Sequence, residues 1–295
     1  MKNATLASIC VATILMVVGS GMIAIGGSQG GFEDAQKIID EKDLGINFSF
    51  GKEASPFINM KGSVDFKAGD SAEQFKASEI ENLSIEIGGA EVIIDDSEDE
   101  YIYVNISGMN ASKVYAENDT LYVHSKGKTT GNGKVYISIP ATATFKNVDM
   151  EVGASSFEGS SFTCENFDLD LGAGEAVFKS LTVSDSADFD LGAGNLTIES
   201  ATLNDFDVDL GLGNLEFTGL ISGNLDVDCS MGNATLNLTD SASEHNIDLS
   251  AKMGNIKFDG AEYAGVKSHS AQNNNSDSNF DIECGMGNIE INFAK

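Results

Sequence analysis

The segment DLGAGNLTIE, residues 190–199, has the residue types of a nucleotide-binding turn. Gly192 and Gly194 follow an apolar run, as in the glycine-rich loops that bring backbone N–H groups close to a phosphate. Such a site also needs a helix directly after the glycines, because the N-terminus of that helix faces the phosphates. Residues 196–198 instead alternate between apolar and polar, which is typical of a strand. The segment therefore favours a structural turn over a phosphate site.

The same pattern recurs along the second half of the chain. The second glycine falls at positions 174, 194, 213, 232, 254 and 287, so the steps are 20, 19, 19, 22 and 33 residues. Weaker copies begin at Leu83 and Val148. In each copy an alternating strand precedes the glycines and a second one follows them. The full copies begin at Phe167, Ala187, Phe206, Leu225, Ile247 and Phe280.

The spacing of the copies predicts the architecture. A strand with a crossover helix needs about 30 residues or more, which is longer than most of these steps. A step of 19 or 20 residues suits one coil of a β-solenoid, in which each coil pairs in parallel with the next. The crossover rule predicts a right-handed coil. The longest step indicates a polar loop, residues 265–279, inserted into one coil.

In this architecture the glycines allow a tight corner, through positive φ or through close approach of neighbouring coils. The asparagine after the second glycine recurs in most copies, and such side chains can form a hydrogen-bonded ladder across stacked strands. The predicted turn and ladder residues are Gly172, Gly174, Gly192, Gly194, Asn195, Gly211, Gly213, Asn214, Gly232, Asn233, Gly254, Asn255, Gly287 and Asn288.

Two columns of acidic residues precede the glycines. If neighbouring coils are about 4.8 Å apart, two adjacent carboxylates repel by roughly 0.9 kcal/mol in water before screening. The columns are predicted to form a solvated acidic face, and the alternative is a weak Ca²⁺-binding face. The residues of that face are Asp168, Asp170, Asp188, Asp190, Asp207, Asp209, Asp226 and Asp228, continued by Asp149, Glu151, Asp248, Asp281 and Glu283, with Ser250 as an interruption.

Catalysis is the weaker interpretation, although some β-solenoids act on polysaccharides. A glycosidase needs one carboxyl pair in a cleft, whereas here the acids repeat and no pair stands out. The chain has no tryptophan and no arginine to clamp an acidic sugar. The sequence shows no catalytic Ser or Cys pattern and no metal-ligand pattern that includes the histidines, which are His124, His245 and His269. The sequence therefore predicts no catalytic residue and no required cofactor.

The charge of the chain limits its partners. The formal net charge is −29, and residues 147–295 carry 26 acidic residues against 5 lysines. Such a surface repels a phosphate backbone, so nucleic acid is excluded as a partner. Cys164, Cys229 and Cys284 have no CxxC spacing and are interpreted as small core residues.

The N-terminal segment is predicted to cross a membrane. No charged residue occurs from Asn3 to Phe32, and the apolar part is about long enough to span a bilayer as a helix. Lys2 precedes this part and Glu33 follows it, so the positive-inside rule places the C-terminal part outside the cell. An uncleaved signal anchor is preferred, with cleavage as the alternative.

Between the span and the repeats the strand signals differ. Residues 90–108, around an acidic turn, and residues 113–127, around Glu117-Asn118-Asp119, predict antiparallel hairpins, and KVYISIP predicts one more strand ended by Pro140. These hairpins are expected to lead into or cap the coils. Residues 44–80 give no clear signal.

The repeats, behind a membrane span and a lead-in ending in ISIP, resemble the bacterial putative-adhesin β-strand-repeat family, a domain of unknown function related to auto-transporter adhesin head domains. The resemblance covers about residues 80–295 and rests on six copies of the glycine motif. It implies a β-solenoid outside the cell, commonly in Gram-positive bacteria. It brings no catalytic residues.

Together these observations predict an all-β, right-handed parallel β-solenoid with a hairpin-rich N-terminal part behind one transmembrane helix. The expected function is non-catalytic adhesion or surface interaction, with an unknown surface protein or polysaccharide as partner. An envelope-stress sensor and a polysaccharide-acting enzyme are the alternatives. The expected divisions are a cytoplasmic end at 1–3, the membrane anchor at 4–27, a linker at 28–80, the hairpin lead-in at 81–146 and the solenoid at 147–295.

Overall fold

The computed structural model describes residues 72–109, 112–125, 129–265, 267–271 and 276–294. Within these residues the fold is all-β, and the helical segments are two 3-10 turns, Ala77–Glu79 and Ala242–Glu244. No helix in the described part is long and apolar enough to cross a membrane. The predicted span at 4–27 lies outside the described residues, as does most of the predicted linker.

Twenty strands make up the described fold. The N-terminal strands are β1 (Glu73–Lys76), β2 (Asn82–Ile87), β3 (Glu91–Ser97), β4 (Tyr101–Met109), β5 (Ser112–Glu117), β6 (Thr120–Ser125) and β7 (Thr129–Pro140). The central strands are β8 (Phe145–Val152), β9 (Ser156–Leu171), β10 (Glu175–Leu191), β11 (Asn195–Leu210), β12 (Asn214–Ile221), β13 (Leu225–Cys229) and β14 (Asn233–Leu238). The C-terminal strands are β15 (Asn246–Ala251), β16 (Asn255–Phe258), β17 (Ala261–Ala264), β18 (Lys267–Ala271), β19 (Asn279–Cys284) and β20 (Asn288–Phe293).

The central strands form parallel coils, and each coil contributes to two stacks of strands. The aspartate stack contains β2, β8, the second halves of β9, β10 and β11, then β13, β19 and β15. The asparagine stack contains the first halves of β9, β10 and β11, then β12, β14, β20 and β16. The glycine turns join one stack to the other. The fold is therefore solenoid-like, while the right-handed sense of the coil stays a prediction.

The period of two in the sequence determines which side chains enter the core. In β11, Phe206, Val208 and Leu210 are buried, whereas the aspartates between them are exposed. Aromatic rings continue the packing from coil to coil: Phe189 lies 5.3 Å from both Phe167 and Phe206, measured between ring centroids. Burying a large apolar side chain contributes about 1.5–3 kcal/mol. The regular alternation thus provides one continuous core along the coils.

At the N-terminal end, strand partners differ in part from the prediction. The hairpin around Glu117 is present as β5 and β6, with positive φ at Asn118 and Asp119. The predicted pairing of β3 with β4 is wrong, because β7 lies between them, parallel to β3 and antiparallel to β4. The alternating pattern specifies the buried face of β3 but not its neighbour. In the predicted linker, β1 pairs with β4.

At the C-terminal end, the predicted order of coils is also wrong. The last coil in the sequence, β19 and β20, does not follow β15 and β16 at the end of the stack. It lies between β13–β14 and β15–β16, where β19 pairs with β13 and β15, and β20 pairs with β14 and β16. We call β19–β20 the intercalated coil. The segment predicted as a polar loop, residues 265–279, contains β18, and β17 directly precedes it.

Antiparallel strands cover both ends of the coils. At one end β5 pairs with β6 and β4 with β7, and β6 and β7 form an outer coil over β2 and β3. At the other end β18 pairs with β15 and β17 with β16. An uncovered edge strand exposes backbone groups to pairing with other chains. At both ends the outermost coil carries the antiparallel strands that cap the repeat. The coil next to it is β2–β3 at one end and the intercalated coil at the other.

Candidate functional site

The glycine turns use their backbone groups to join neighbouring coils. The amide of Ala193 donates to the carbonyl of Gly172 at 2.7 Å, and the amide of Asn195 donates to the carbonyl of Gly174 at 2.9 Å. A phosphate would need these N–H groups free. Because these amides are engaged and no helix follows the glycines, the turn does not have the features of a phosphate site.

Close approach of the coils, not positive φ, explains the motif glycines. No motif glycine is among the described glycines with positive φ. A Cβ on Gly194 would lie 2.9 Å from the carbonyl oxygen of Gly174 and 2.7 Å from Cγ of Leu171, and one on Gly213 would collide with the carbonyl oxygen of Gly194. Of the two explanations that the sequence left open, the structure therefore shows the second.

The asparagines after the glycines lie in one column. Nδ2 of Asn214 donates to Oδ1 of Asn195 at 2.6 Å, and Nδ2 of Asn233 donates to Oδ1 of Asn214 at 2.9 Å. The next donor is Asn288, 2.9 Å from Oδ1 of Asn233, because the intercalated coil precedes the coil of Asn255. Oδ1 of Asn255 is buried and accepts no hydrogen bond in the described part. These hydrogen bonds link four coils.

Further asparagine contacts, which were not predicted from the sequence, occur at the start of the aspartate stack. Nδ2 of Asn147 donates to Asn82 at 2.7 Å, and Nδ2 of Asn166 donates to Asn147 at 3.2 Å. Toward the other end, Nδ2 of Asn279 donates to Asn224 at 3.1 Å. The signal was an asparagine two residues before the first aspartate of several copies. Amide ladders therefore run at two corners of the coil.

The acidic residues form two rows on the exposed side of the aspartate stack, which we call the acidic face. In space the first row runs Asp149, Asp168, Asp188, Asp207, Asp226, Asp281 and Asp248, and the second runs Glu86, Glu151, Asp170, Asp190, Asp209, Asp228 and Glu283. Ser250 lies beyond Glu283 and ends the second row. Because the intercalated coil places Asp281 and Glu283 next to β13, Ser250 does not interrupt the second row.

In the described part of the chain, the basic groups that form ion pairs with the acidic rows lie at the two ends of the second row. Nζ of Lys252 is 2.9 Å from Oε2 of Glu283 at one end. At the other, Nδ1 of His124 is 3.9 Å from Oε2 of Glu86, and Lys113 is the next residue in register. Between these ends the register positions hold acidic residues. The acidic face is thus an uninterrupted strip of negative charge.

The environment of the acidic face raises the pKa of several of its carboxyl groups. Partial burial against neighbouring strands is the main cause for Asp168, Asp170, Asp207, Asp226 and Asp281, and the negative charges of adjacent aspartates add to it. Both effects disfavour the ionised form. The face therefore takes up protons more readily than isolated aspartates would.

The rows do not converge on a metal site. In the described part of the chain, no three His, Cys, Asp or Glu side chains are grouped so that they could hold one ion. Ca²⁺ takes six to eight oxygen ligands, which carboxylates spread along a flat face do not supply at one point. Binding of Ca²⁺ by the face as a whole stays a prediction.

A Ser–His–Asp arrangement is present, so the prediction that His245 lies near no Ser pattern is wrong. Nε2 of His245 lies 2.8 Å from Oδ2 of Asp240, and Nδ1 lies 2.7 Å from Oγ of Ser278. The Ser278 hydroxyl donates its hydrogen to the carbonyl of Gly223. His245 and Ser278 are buried. The arrangement joins the start of the intercalated coil to its neighbours and presents no free nucleophile.

The three described cysteines are free and buried. Burial raises the pKa of the Cys164 and Cys229 thiols to about 12, so both stay protonated at neutral pH. Cys229 and Cys284 occupy matching positions on β13 and β19. Buried, protonated thiols are poor nucleophiles, and their positions are those of core residues.

Comparison with known proteins gives one family. The family model described as Toastrack DUF4097 matches residues 80–292. No curated protein matches the chain in sequence.

Several solved structures are similar to this chain. A putative cell adhesion protein from Clostridium sporogenes is 15% identical, with 76% of this chain and 99% of that chain covered and a TM-score of 0.34. A putative adhesin from Bacteroides fragilis is 14% identical, with 75% and 95% covered and a TM-score of 0.42. A putative adhesin from Parabacteroides distasonis is 15% identical, with 76% and 98% covered and a TM-score of 0.37.

Proposed function

The chain belongs to the Toastrack DUF4097 family, and from this premise we propose that it is a non-catalytic surface-interaction module that works in adhesion at the cell envelope. The family match agrees with the resemblance found in the repeats. The working surface is the acidic face, and the coils hold it in a fixed geometry. The partner is a cationic surface protein, or a polysaccharide that carries positively charged groups or binds cations.

The single observation that carries this proposal is the continuity of the acidic face. All eight aspartates predicted for the face, from Asp168 to Asp228, are exposed. Adjacent carboxylates about 4.8 Å apart repel by roughly 0.9 kcal/mol in water. The repulsion is greatest in the free protein, and a cationic partner that lies along the rows relieves it. Charge complementarity of this kind also speeds association.

The remaining described surface favours a flat interaction over a reaction in a pocket. One open depression is lined by Glu81, Phe145, Lys146 and Cys164, among others. Glu81 and Lys146 form an ion pair at its rim, and the Cys164 thiol beneath is buried. These groups are already paired or protonated. A non-catalytic module is therefore the function that the side chains support best.

Anchoring by the N-terminal segment is part of the proposal. Its support is the uncharged stretch from Asn3 to Phe32, which has about the length of a membrane-spanning helix. We expect the chain to fractionate with membranes and its acidic face to be accessible to protease added outside intact cells. Recovery of the intact chain in the soluble cell fraction would contradict anchoring.

The function is tested by neutralising the acidic face. We propose the variant Asp168→Asn, Asp188→Asn, Asp207→Asn and Asp226→Asn, measured in adherence of protein-coated beads to cells and to lysine-rich surfaces. The matched control is Glu98→Gln, Glu165→Gln, Glu199→Gln and Glu216→Gln, which removes the same charge from exposed positions outside the two rows. Adherence should decrease at least tenfold only in the first variant. An equal decrease of adherence in both variants would show that the effect depends on net charge alone.

A sensing role at the envelope is the second candidate, and the raised pKa values of the acidic face favour it. A face whose carboxyl groups take up protons at a higher pH than free aspartates do changes its charge when the surroundings acidify. Deletion of the protein should then alter envelope-stress transcription induced by antibiotics or acid. An unchanged transcriptional response together with lost adherence would leave adhesion as the function.

A further inference from the structure

The middle residue of each glycine turn lies outside the core and next to its counterparts in adjacent coils. In spatial order this position holds Ala173, Ala193, Leu212, Met231, Met286 and Met253. Backbone hydrogen bonds establish the order: the amide of Met286 donates to the carbonyl of Ser230 at 2.7 Å, and the amide of Met253 donates to the carbonyl of Gly285 at 2.7 Å. Three methionines therefore occupy consecutive coils at one corner.

These methionines are unusually exposed. Met231, Met286 and Met253 expose 50%, 54% and 73% of their surface. In the described part of the chain, Tyr115 is the one other large apolar side chain that is exposed. Apolar residues on a soluble surface are normally scattered singly. Their grouping at a single corner calls for a role that the fold itself does not require, because alanine fills the same position in earlier coils.

The methionines become neighbours only through the intercalated coil. In the sequence Met231, Met253 and Met286 belong to three separate copies of the motif. In space Met286 lies between the other two, one strand spacing, about 4.8 Å, from each. The methionine side chain has three rotatable bonds and a polarizable sulfur. Three such side chains on adjacent coils can turn their sulfurs toward one point above Met286.

Thioether sulfur is a soft ligand that selects Cu(I) and similar ions over Ca²⁺ or Mg²⁺. We propose that Met231, Met286 and Met253 form a three-thioether site for a soft monovalent cation of the Cu(I) class, with Met286 as the central ligand. Asp228 of the acidic face lies on β13, just before the turn of Met231, and its negative charge increases the local concentration of cations, whereas Glu283 pairs with Lys252. The neutral thioethers supply the selectivity.

The buried thiols at the same corner do not replace this site. Cys229 precedes Met231 by two residues and Cys284 precedes Met286 by two, but both side chains point into the core. The pKa of the Cys229 thiol is raised to about 12, mainly by burial. A metal binds the thiolate, not the thiol. The exposed thioethers are therefore the accessible sulfur ligands of this corner.

The test is an anaerobic Cu(I) titration of the full chain in competition with a chromophoric Cu(I) chelator. The triple variant Met231→Leu, Met286→Leu and Met253→Leu keeps the apolar side chains and removes the sulfurs. We expect it to lose at least tenfold in affinity, and Met286→Leu alone to account for most of the loss. The matched control is Leu212→Ala, which removes the apolar neighbour in the same row and should leave the affinity unchanged.

A second readout locates the ion. With ¹³C-methyl-labelled methionine, Ag(I) or Cu(I) should shift the signals that the triple variant lacks and leave the core residue Met150 unshifted, while Na⁺ and Ca²⁺ should shift none of them. Unchanged Cu(I) affinity in the triple variant would overturn the proposal. Loss of the binding in Cys229→Ser with Cys284→Ser, but not in the triple variant, would overturn it as well.

Discussion

At the scale of single residues, the glycines of the motif control the distance between coils. A Cβ on Gly213 would collide with the backbone carbonyl of Gly194, and backbone cannot rotate away as a side chain can. Gly89 also lies at the turn of a coil, but a Cβ there would lie 3.9 Å from its nearest neighbour, the carbonyl oxygen of Ala154. The same substitution therefore meets different surroundings at the two positions.

We expect Gly213→Ala to lower the free energy of unfolding by about 1–3 kcal/mol, the usual cost of overpacking. Gly89→Ala should change it by less than about 1 kcal/mol, since φ at this position is not positive and space is available. Chemical denaturation of both variants measures the difference. Equal effects would show that the glycines matter for chain flexibility and not for coil spacing.

Neighbouring residues of one strand test the assignment of faces. Leu210 is 2% exposed and Asp209 is on the acidic face. Leu210→Asp places an unpaired charge in the core, and we expect loss of more than about 4 kcal/mol and failure to fold. Asp209→Asn removes one repulsive charge and should leave the melting temperature equal or higher. A folded, soluble Leu210→Asp protein would contradict the direction of β11.

At the scale of the stacked strands, the rows of carboxylates make stability depend on pH. In the folded protein the pKa values of Asp168, Asp170, Asp207, Asp226 and Asp281 are raised, chiefly by partial burial, above the value of about 3.9 for a free aspartate. Between that value and the raised ones, the folded chain binds more protons than the unfolded chain. Stability therefore increases as the pH falls through this window.

We expect the melting temperature to increase as the pH is lowered toward about 4, and the increase to end there, where the unfolded chain also takes up protons. Hydrogen bonds to Tyr103 and Lys257 lower the pKa values of Asp99 and Glu290. These two groups reduce stability only when the pH falls below the ordinary pKa of a free carboxyl group. Scanning calorimetry measures the profile. A monotonic fall from pH 7 downward would contradict the acidic face as its source.

Cations test the same rows. If the face binds Ca²⁺, millimolar CaCl₂ should raise the melting temperature more than NaCl of equal ionic strength does, because screening depends on ionic strength alone. The variant with four neutralised aspartates should lose the excess. Equal shifts of the melting temperature in the two salts would show that screening alone accounts for the stabilisation.

The sequence predicts the interior of the stacks well and their ends poorly. The period of two and the regular glycine steps determine the buried face, the coil length and the row to which each Asp or Asn belongs. They do not determine which coil is next to which, since Asp226 meets Asp281 or Asp248 with the same chemistry. Contacts between distant residues, such as Ser278 with His245 and Gly223, distinguish the alternatives. No local pattern encodes them.

At the scale of the whole molecule, the order of coils determines how the C-terminal end unfolds. In a solenoid, stability is approximately a sum over neighbouring coils. If coils followed the sequence, removing the last one would leave all the others paired as before. Here the last coil, β19–β20, separates β13–β14 from β15–β16. Its removal takes away the parallel neighbour of β15 and β16.

Truncation after Gly265 tests this order. The truncated chain also lacks β18 and the Ser278 hydroxyl that holds His245, so β15 and β16 lose both their inner neighbour and their link to Gly223. In native-state hydrogen exchange we expect the amides of β15 and β16 to lose protection by several orders of magnitude, while those of β9, β10 and β11 stay protected. Full protection of β15 would mean that it docks directly on β13, in the position of β19. The identical rows of aspartates permit that register, and only the contacts of the intercalated coil oppose it.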